Sequence, residues 1–96
     1  MTRKEILEKA TQCVCGERDI DYGTPENSFS IIANLWNSYL SGTFKGRSIH
    51  VVTEKDVSIM MALLKIARIA NSDNIDSFVD LAGYAACAGE IASQEE

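Results

Sequence analysis

Four stretches of the chain repeat apolar residues every three or four positions, and each opens on a helix-start signal. That pairing of period and punctuation leaves little besides an all-α fold open to the sequence. The first stretch runs from about residue 3 to about residue 16. Thr2 and Glu5 form a capping box, and Ile6, Leu7, Ala10, Cys13 and Val14 make the stripe. In the second, Thr24 is the N-cap and Pro25 sits at the first helical position, where its missing N–H costs nothing. Phe29, Ile32, Ala33, Trp36, Tyr39 and Leu40 line one face, and Ser41–Gly42 reads as the stop. The third opens on Thr53 and Asp56, another box, and continues through Val57, Ile59, Met60, Leu63, Leu64, Ala67 and Ile69 to about Asn71. It is apolar around most of its circumference, which predicts the central, most buried helix. The fourth opens at Asp73 or Asn74, with Asp76 in its first turn. Its apolar residues include Phe78, Val79, Leu81, Ala82 and Ile91, and its small residues, Gly83 and Ala88 among them, permit close helix approach.

Only the connection at about 41–52 is irregular, and its Ile49, Val51 and Val52 suit a loop or a short two-strand ribbon. Short joints between four helices predict a compact four-helix, bundle-like all-α domain over residues 1–96. A chain of 96 residues buries roughly 60–65% of its unfolded surface, so one core is all it can build. Apolar periodicity on several faces of so short a chain points to a homo-oligomer.

A formal net charge of −5 argues against broad binding to nucleic acid or anionic membrane, which needs clustered Lys and Arg. It leaves room for a small phosphorylated ligand held by one or two cations and a divalent metal. The sequence carries no apolar run of membrane-spanning length, and its N-terminus turns polar at once, so a cytoplasmic protein is expected. Cys13, Cys15 and Cys87 lack zinc-ligand spacing and read as reduced thiols.

Two constellations and one segment could carry chemistry. Asp76, Asp80 and Tyr84 fall at i, i+4 and i+8, roughly on one helix face, and two carboxylates so placed can share a hard cation such as Mg²⁺. The plainer alternative makes Asp76 a helix-terminus acid and Asp80 a salt-bridged one. Lys65 and Arg68, at i and i+3 of an apolar helix, must either pair with acids or bind phosphate. A salt bridge to Asp76 or Asp80 across the tight 71–74 turn weighs about equally with a phosphate site. The segment from Arg18 to Phe29 packs Asp19, Asp21, Tyr22, Gly23, Pro25 and Glu26 into one joint. Asp19, Asp21 and Glu26 could add carboxylates to the same cation, and Arg18 and Tyr22 could contact a nucleotide. Each of these, taken singly, is more simply a turn former or packing residue. His50 has no evident acid–nucleophile partner.

These residues carry a resemblance. The run Arg18-Asp19-x-Asp21-Tyr22-Gly23-x-Pro25-Glu26-x-x-Phe29, then Lys65-x-Ala67-Arg68 and Asp76-x-x-x-Asp80-x-Ala82-Gly83-Tyr84, resembles a group of small uncharacterised phage and prophage proteins. More remotely it is similar to MazG-like all-α nucleoside triphosphate pyrophosphohydrolases and to phage nucleotide-modification-associated proteins. The resemblance implies a helical oligomer in the host cytoplasm, Mg²⁺ held by helix carboxylates, and cleavage of a (d)NTP to its monophosphate and pyrophosphate. The sequence departs from the MazG pattern: Glu5-x-x-Glu8 lies at the N-terminus, and the last helix spaces its acids by four, not three. Fewer acids near the metal weaken catalysis more than nucleotide binding.

Three functions therefore stand open. One is a Mg²⁺-dependent (d)NTP pyrophosphohydrolase with Asp76, Asp80, Asp21 and Glu26 at the metal and Lys65, Arg68, Arg18, Tyr22 and Tyr84 on the nucleotide. Another is a non-catalytic nucleotide binder, for example one that sequesters a host signalling nucleotide. The third is a small helical interaction protein in which Lys65, Arg68, Asp76 and Asp80 form a structural ion network.

Overall fold

The computed structural model describes residues 1–15, 25–45 and 50–94, with the side chains of residues 25–27 outside that description. Among the described residues there are four helices and no strand: α1 (Arg3–Cys15), α2 (Pro25–Phe44), α3 (Glu54–Asn71) and α4 (Ile75–Gln94). The all-α expectation holds, helix for helix.

Local chemistry explains the starts. At α1 the Glu5 N–H donates to Thr2 Oγ1 at 3.2 Å, and the Thr2 hydroxyl donates in turn to the Glu5 carboxylate at 3.0 Å. The box at α3 is complete. Asp56 N–H donates to Thr53 Oγ1 at 3.2 Å, and Thr53 N–H donates to Asp56 Oδ2 at 3.0 Å. At α4 the Asn74 side-chain oxygen accepts from Asp76 N–H at 2.9 Å, so Asn74, one of the two expected residues, is the cap.

α3 and α4 form a tight antiparallel-type pair and share the most extensive contact, joined by residues 72–74. Ser72 N–H closes α3 on Arg68 O, and Ser77 N–H returns to Asn74 O. α1 packs on α4, and α2 on α3. The α1–α4 crossing is close because Gly83 has no side chain: a Cβ there would meet Val14 Cγ1 at 3.2 Å. Phe29 and Ala33 of α2, Val52, Val57 of α3 and Cys87 of α4 make the core, with Trp36, Leu40, Met61, Tyr84 and Ile91 packed around it. Asn37 ties α2 to the start of α3. Its Nδ2 donates to Val52 O at 2.9 Å, and Val52 N–H donates to its Oδ1 at 2.8 Å.

Three expectations change. α2 runs past Gly42 to Phe44, with Thr43 Oγ1 donating to Tyr39 O, and closes at Lys45, whose φ of 49° is left-handed and whose N–H reaches Ser41 O. The irregular connection is correspondingly shorter, and no strand forms in its described part. Tyr39, expected on the core face, is 71% exposed, since it falls toward the far edge of the arc that carries Ile31 and Leu35. α3 is central but not the most buried helix. Ile59, Met60, Leu63, Leu64 and Ile66 all lie on its exposed side. Among the described residues, no helix is long and apolar enough to cross a membrane.

Candidate functional site

Lys65 and Asp80 meet across the seam between α3 and α4. Lys65 sits three residues before Arg68 on α3, and Asp80 sits in the first half of α4. Their Nζ–Oδ2 distance is 3.0 Å, with the Lys65 side chain 14% exposed and that of Asp80 30%. A covered lysine needs a partner, because desolvating an ammonium alone is costly. Asp80 supplies it and keeps one side open to water.

The other expected residues surround this pair unevenly. Asp76 lies one turn before Asp80 and is exposed, as is Arg68; neither makes an ion pair with a described residue. The network that would join all four residues is therefore reduced to one bridge among the described residues. Tyr84, one turn after Asp80, is half-buried, with its ring against Phe29 at a centroid distance of 6.1 Å. Its carbonyl accepts from the Ser58 hydroxyl at 2.6 Å. Arg18, Asp21 and Tyr22, the neighbouring Asp19, and the Glu26 side chain lie outside the described residues. Among the described residues, no group of three or more His, Cys, Asp or Glu side chains is placed to hold a metal.

Beside the Asn37–Val52 bonds, two further contacts are not legible in the sequence. Ser58, flanked by Val57 and Ile59, is fully buried and bonds α3 to α4. Its signal was a small hydroxyl at i−7 from Lys65, on the side that faces α4. His50 does have an acid: its Nε2 lies 2.6 Å from Asp56 Oδ2. The Thr53 backbone N–H first, and His50 second, hold the Asp56 carboxyl below its ordinary range. Both partners are local to the α3 cap, so the pair acts as a terminus device.

A separate cavity of about 540 Å³ opens between α1 and α4, walled by Leu7, Val14, Cys15, Ala82 and Cys87, with Glu90 at its edge. Among the described residues its lining carries no cation.

The chain is similar to two curated phage proteins. It is 38% identical to the Gene 55 protein of Mycobacterium phage D29 over 89 residues, which are 92% of this chain and 54% of that protein. It is 41% identical to the Gene 55 protein of Mycobacterium phage L5 over 81 residues, 83% of this chain and 47% of that one. The chain thus spans about half the length of these relatives. No solved structure matches it. A family model covers residues 5–92, nearly the whole of the four-helix unit, and the chain belongs to that family, described as Domain of unknown function (DUF6378).

Proposed function

We propose that the chain binds a nucleotide at the α3–α4 seam, as a MazG-like protein acting in the cytoplasm of the host cell. The observation that carries this reading is the Lys65–Asp80 bridge: a mostly covered ammonium and a partly open carboxylate, 3.0 Å apart, on facing helices. A phosphate arriving there exchanges one counterion for another. Lys65 turns from Asp80 to phosphate oxygens, the exposed Arg68 adds a fork of donors, and Asp80 is released. Asp76 and the released Asp80 then present two carboxylates one turn apart. Mg²⁺ fits that set, since it is commonly bound by one or two carboxylates together with substrate phosphates and waters. When bound, it would neutralise phosphate charge. The Tyr84 ring, one turn on, is a candidate base contact, and Arg18, Tyr22, Asp21 and Glu26 are proposed to complete the site. The phage origin of the relatives supports the host cytosol as the compartment.

Thermal-shift titration with (d)NTPs, with Mg²⁺ or with EDTA, tests the proposal, because a ligand specific to the folded state raises its stability. Chromatography of the same mixtures reads turnover. A shift with release of monophosphate and pyrophosphate marks a pyrophosphohydrolase, and a shift without product marks a non-catalytic binder. Absence of any shift at millimolar nucleotide defeats both. It would leave the helical interaction protein with a structural ion pair, a reading favoured by how deeply Lys65 is covered.

A further inference from the structure

α3 places its charge and its grease on unexpected sides. From Val57 to Asn71 its charged residues are Lys65 and Arg68, and Lys65 is turned toward α4 to meet Asp80. The opposite arc is uncharged and open to solvent. Ile59, Leu63, Ile66 and Ala70 follow one another by four, three and four residues, and Met60, Leu64 and Ala67 form a second seam beside them. Leu63, near the middle, is 58% exposed. A solitary surface helix puts lysine outward and leucine inward; here much of the leucine, isoleucine and methionine lies outward. α2 adds a stripe of the same kind, Ile31, Leu35 and Tyr39, each four residues on from the last.

The size of the molecule says the same in area. Its accessible surface is 6905 Å², where a compact monomer of 10.5 kDa exposes roughly 5,400 Å². Its radius of gyration is 14.9 Å against about 12.5 Å for a compact chain of this length. These whole-chain figures leave about 1,500 Å² more surface than a compact monomer shows, the outward face of α3 contributing part of it, beside the roughly 800 Å² that each partner contributes to a standard interface.

We propose that the outward face of α3 is covered by the same face of a second copy of this chain. A two-fold contact sets one patch against itself, residue i against j and j against i, so a charge near the axis would meet its own copy and a face of one sign would repel itself. An arc free of charge in a chain of net charge −5 meets that condition. The stepping by four and three residues is the spacing that lets two helices interlock side by side. The inference is independent of nucleotide binding.

Sedimentation equilibrium of the full chain without nucleotide, from low concentration to about 100 µM, is the test, since association follows mass action. The expected mass is at least twice the 10.5 kDa of one chain. Leu63→Lys should lower it to that of one chain while far-UV ellipticity remains helical. Should Leu63→Lys fail to fold, Ala70→Lys, on the same seam nearer the helix end, gives the reading. A wild-type chain that stays monomeric throughout overturns the proposal. So does an association that survives both lysine substitutions, which would place the contact on another face.

Discussion

Breaking the Lys65–Asp80 bridge should cost unequal amounts from its two sides. Exposed ion pairs are worth about 0.2–1 kcal/mol, and stranding one partner of a buried pair costs about 3–5 kcal/mol. This pair lies between, at 14% and 30% exposure. Asp80→Leu leaves the covered ammonium alone, with a predicted loss of about 2 kcal/mol. Lys65→Met leaves a carboxylate that still reaches water, so its loss should be nearer about 1 kcal/mol. The double variant removes both charges and should recover part of the loss, for a coupling of about 1–2 kcal/mol. Urea unfolding at one fixed protein concentration, followed by ellipticity and by Trp36 fluorescence, measures all four corners. Because Lys65 is covered, the loss in Asp80→Leu should persist in about 1 M NaCl, where screening acts over about 3 Å. If Asp80→Leu stays within about 0.5 kcal/mol of wild type, or its cost vanishes with salt, the bridge is a surface contact and the reasoning fails.

Three further outcomes follow from single contacts. The Asp56 carboxyl is held low by the Thr53 N–H and by His50, so its contribution to stability is complete above the ordinary carboxylate pKa of 3.8 and is lost as pH falls through its lower folded value. Asp56→Asn should flatten the acid limb of an unfolding series taken downward from pH about 5. Lys45→Gly should stabilise by about 0.5–1 kcal/mol in chemical denaturation, since glycine adopts the left-handed φ of 49° without a Cβ clash; a loss instead would mean the lysine side chain anchors that turn. Ser58→Ala should lose about 1 kcal/mol with the hydroxyl bond to Tyr84 O, and Ser58→Val should lose about 1–3 kcal/mol by overfilling a closed site. Equal stability of both would show that the α3–α4 seam has room.

The helices were legible because their signals are short-range. Thr2 with Glu5, Thr53 with Asp56, and Asn74 each act within one turn, and the structure keeps all three. The end of α2 was misread because Gly42 is only a permissive residue, whereas the stop lies at Lys45, a type that rarely takes a left-handed φ. The Lys65–Asp80 partnership was readable as one of two alternatives, because the 72–74 turn is too short to keep the helix ends apart. Which way α3 faces was not readable. A helix apolar nearly all round has no preferred side until its neighbours are placed, so Leu63 and Val57 looked alike in sequence and differ completely in exposure. Ser58 and Asn37 were hidden for a related reason: each is polar, and each bonds a backbone group 15 or more residues away.

The paired bonds between the Asn37 amide and the backbone of Val52 have a practical consequence for protein engineering. One side chain from α2 plays the part of an adjacent strand and fixes where α3 begins. The start of α3 is therefore referenced to α2 in space, and only secondarily to the peptide that precedes it. A redesign of either helix must therefore keep Asn37 or replace both of its bonds at once, since removing the amide alone leaves the two Val52 backbone groups without their partner.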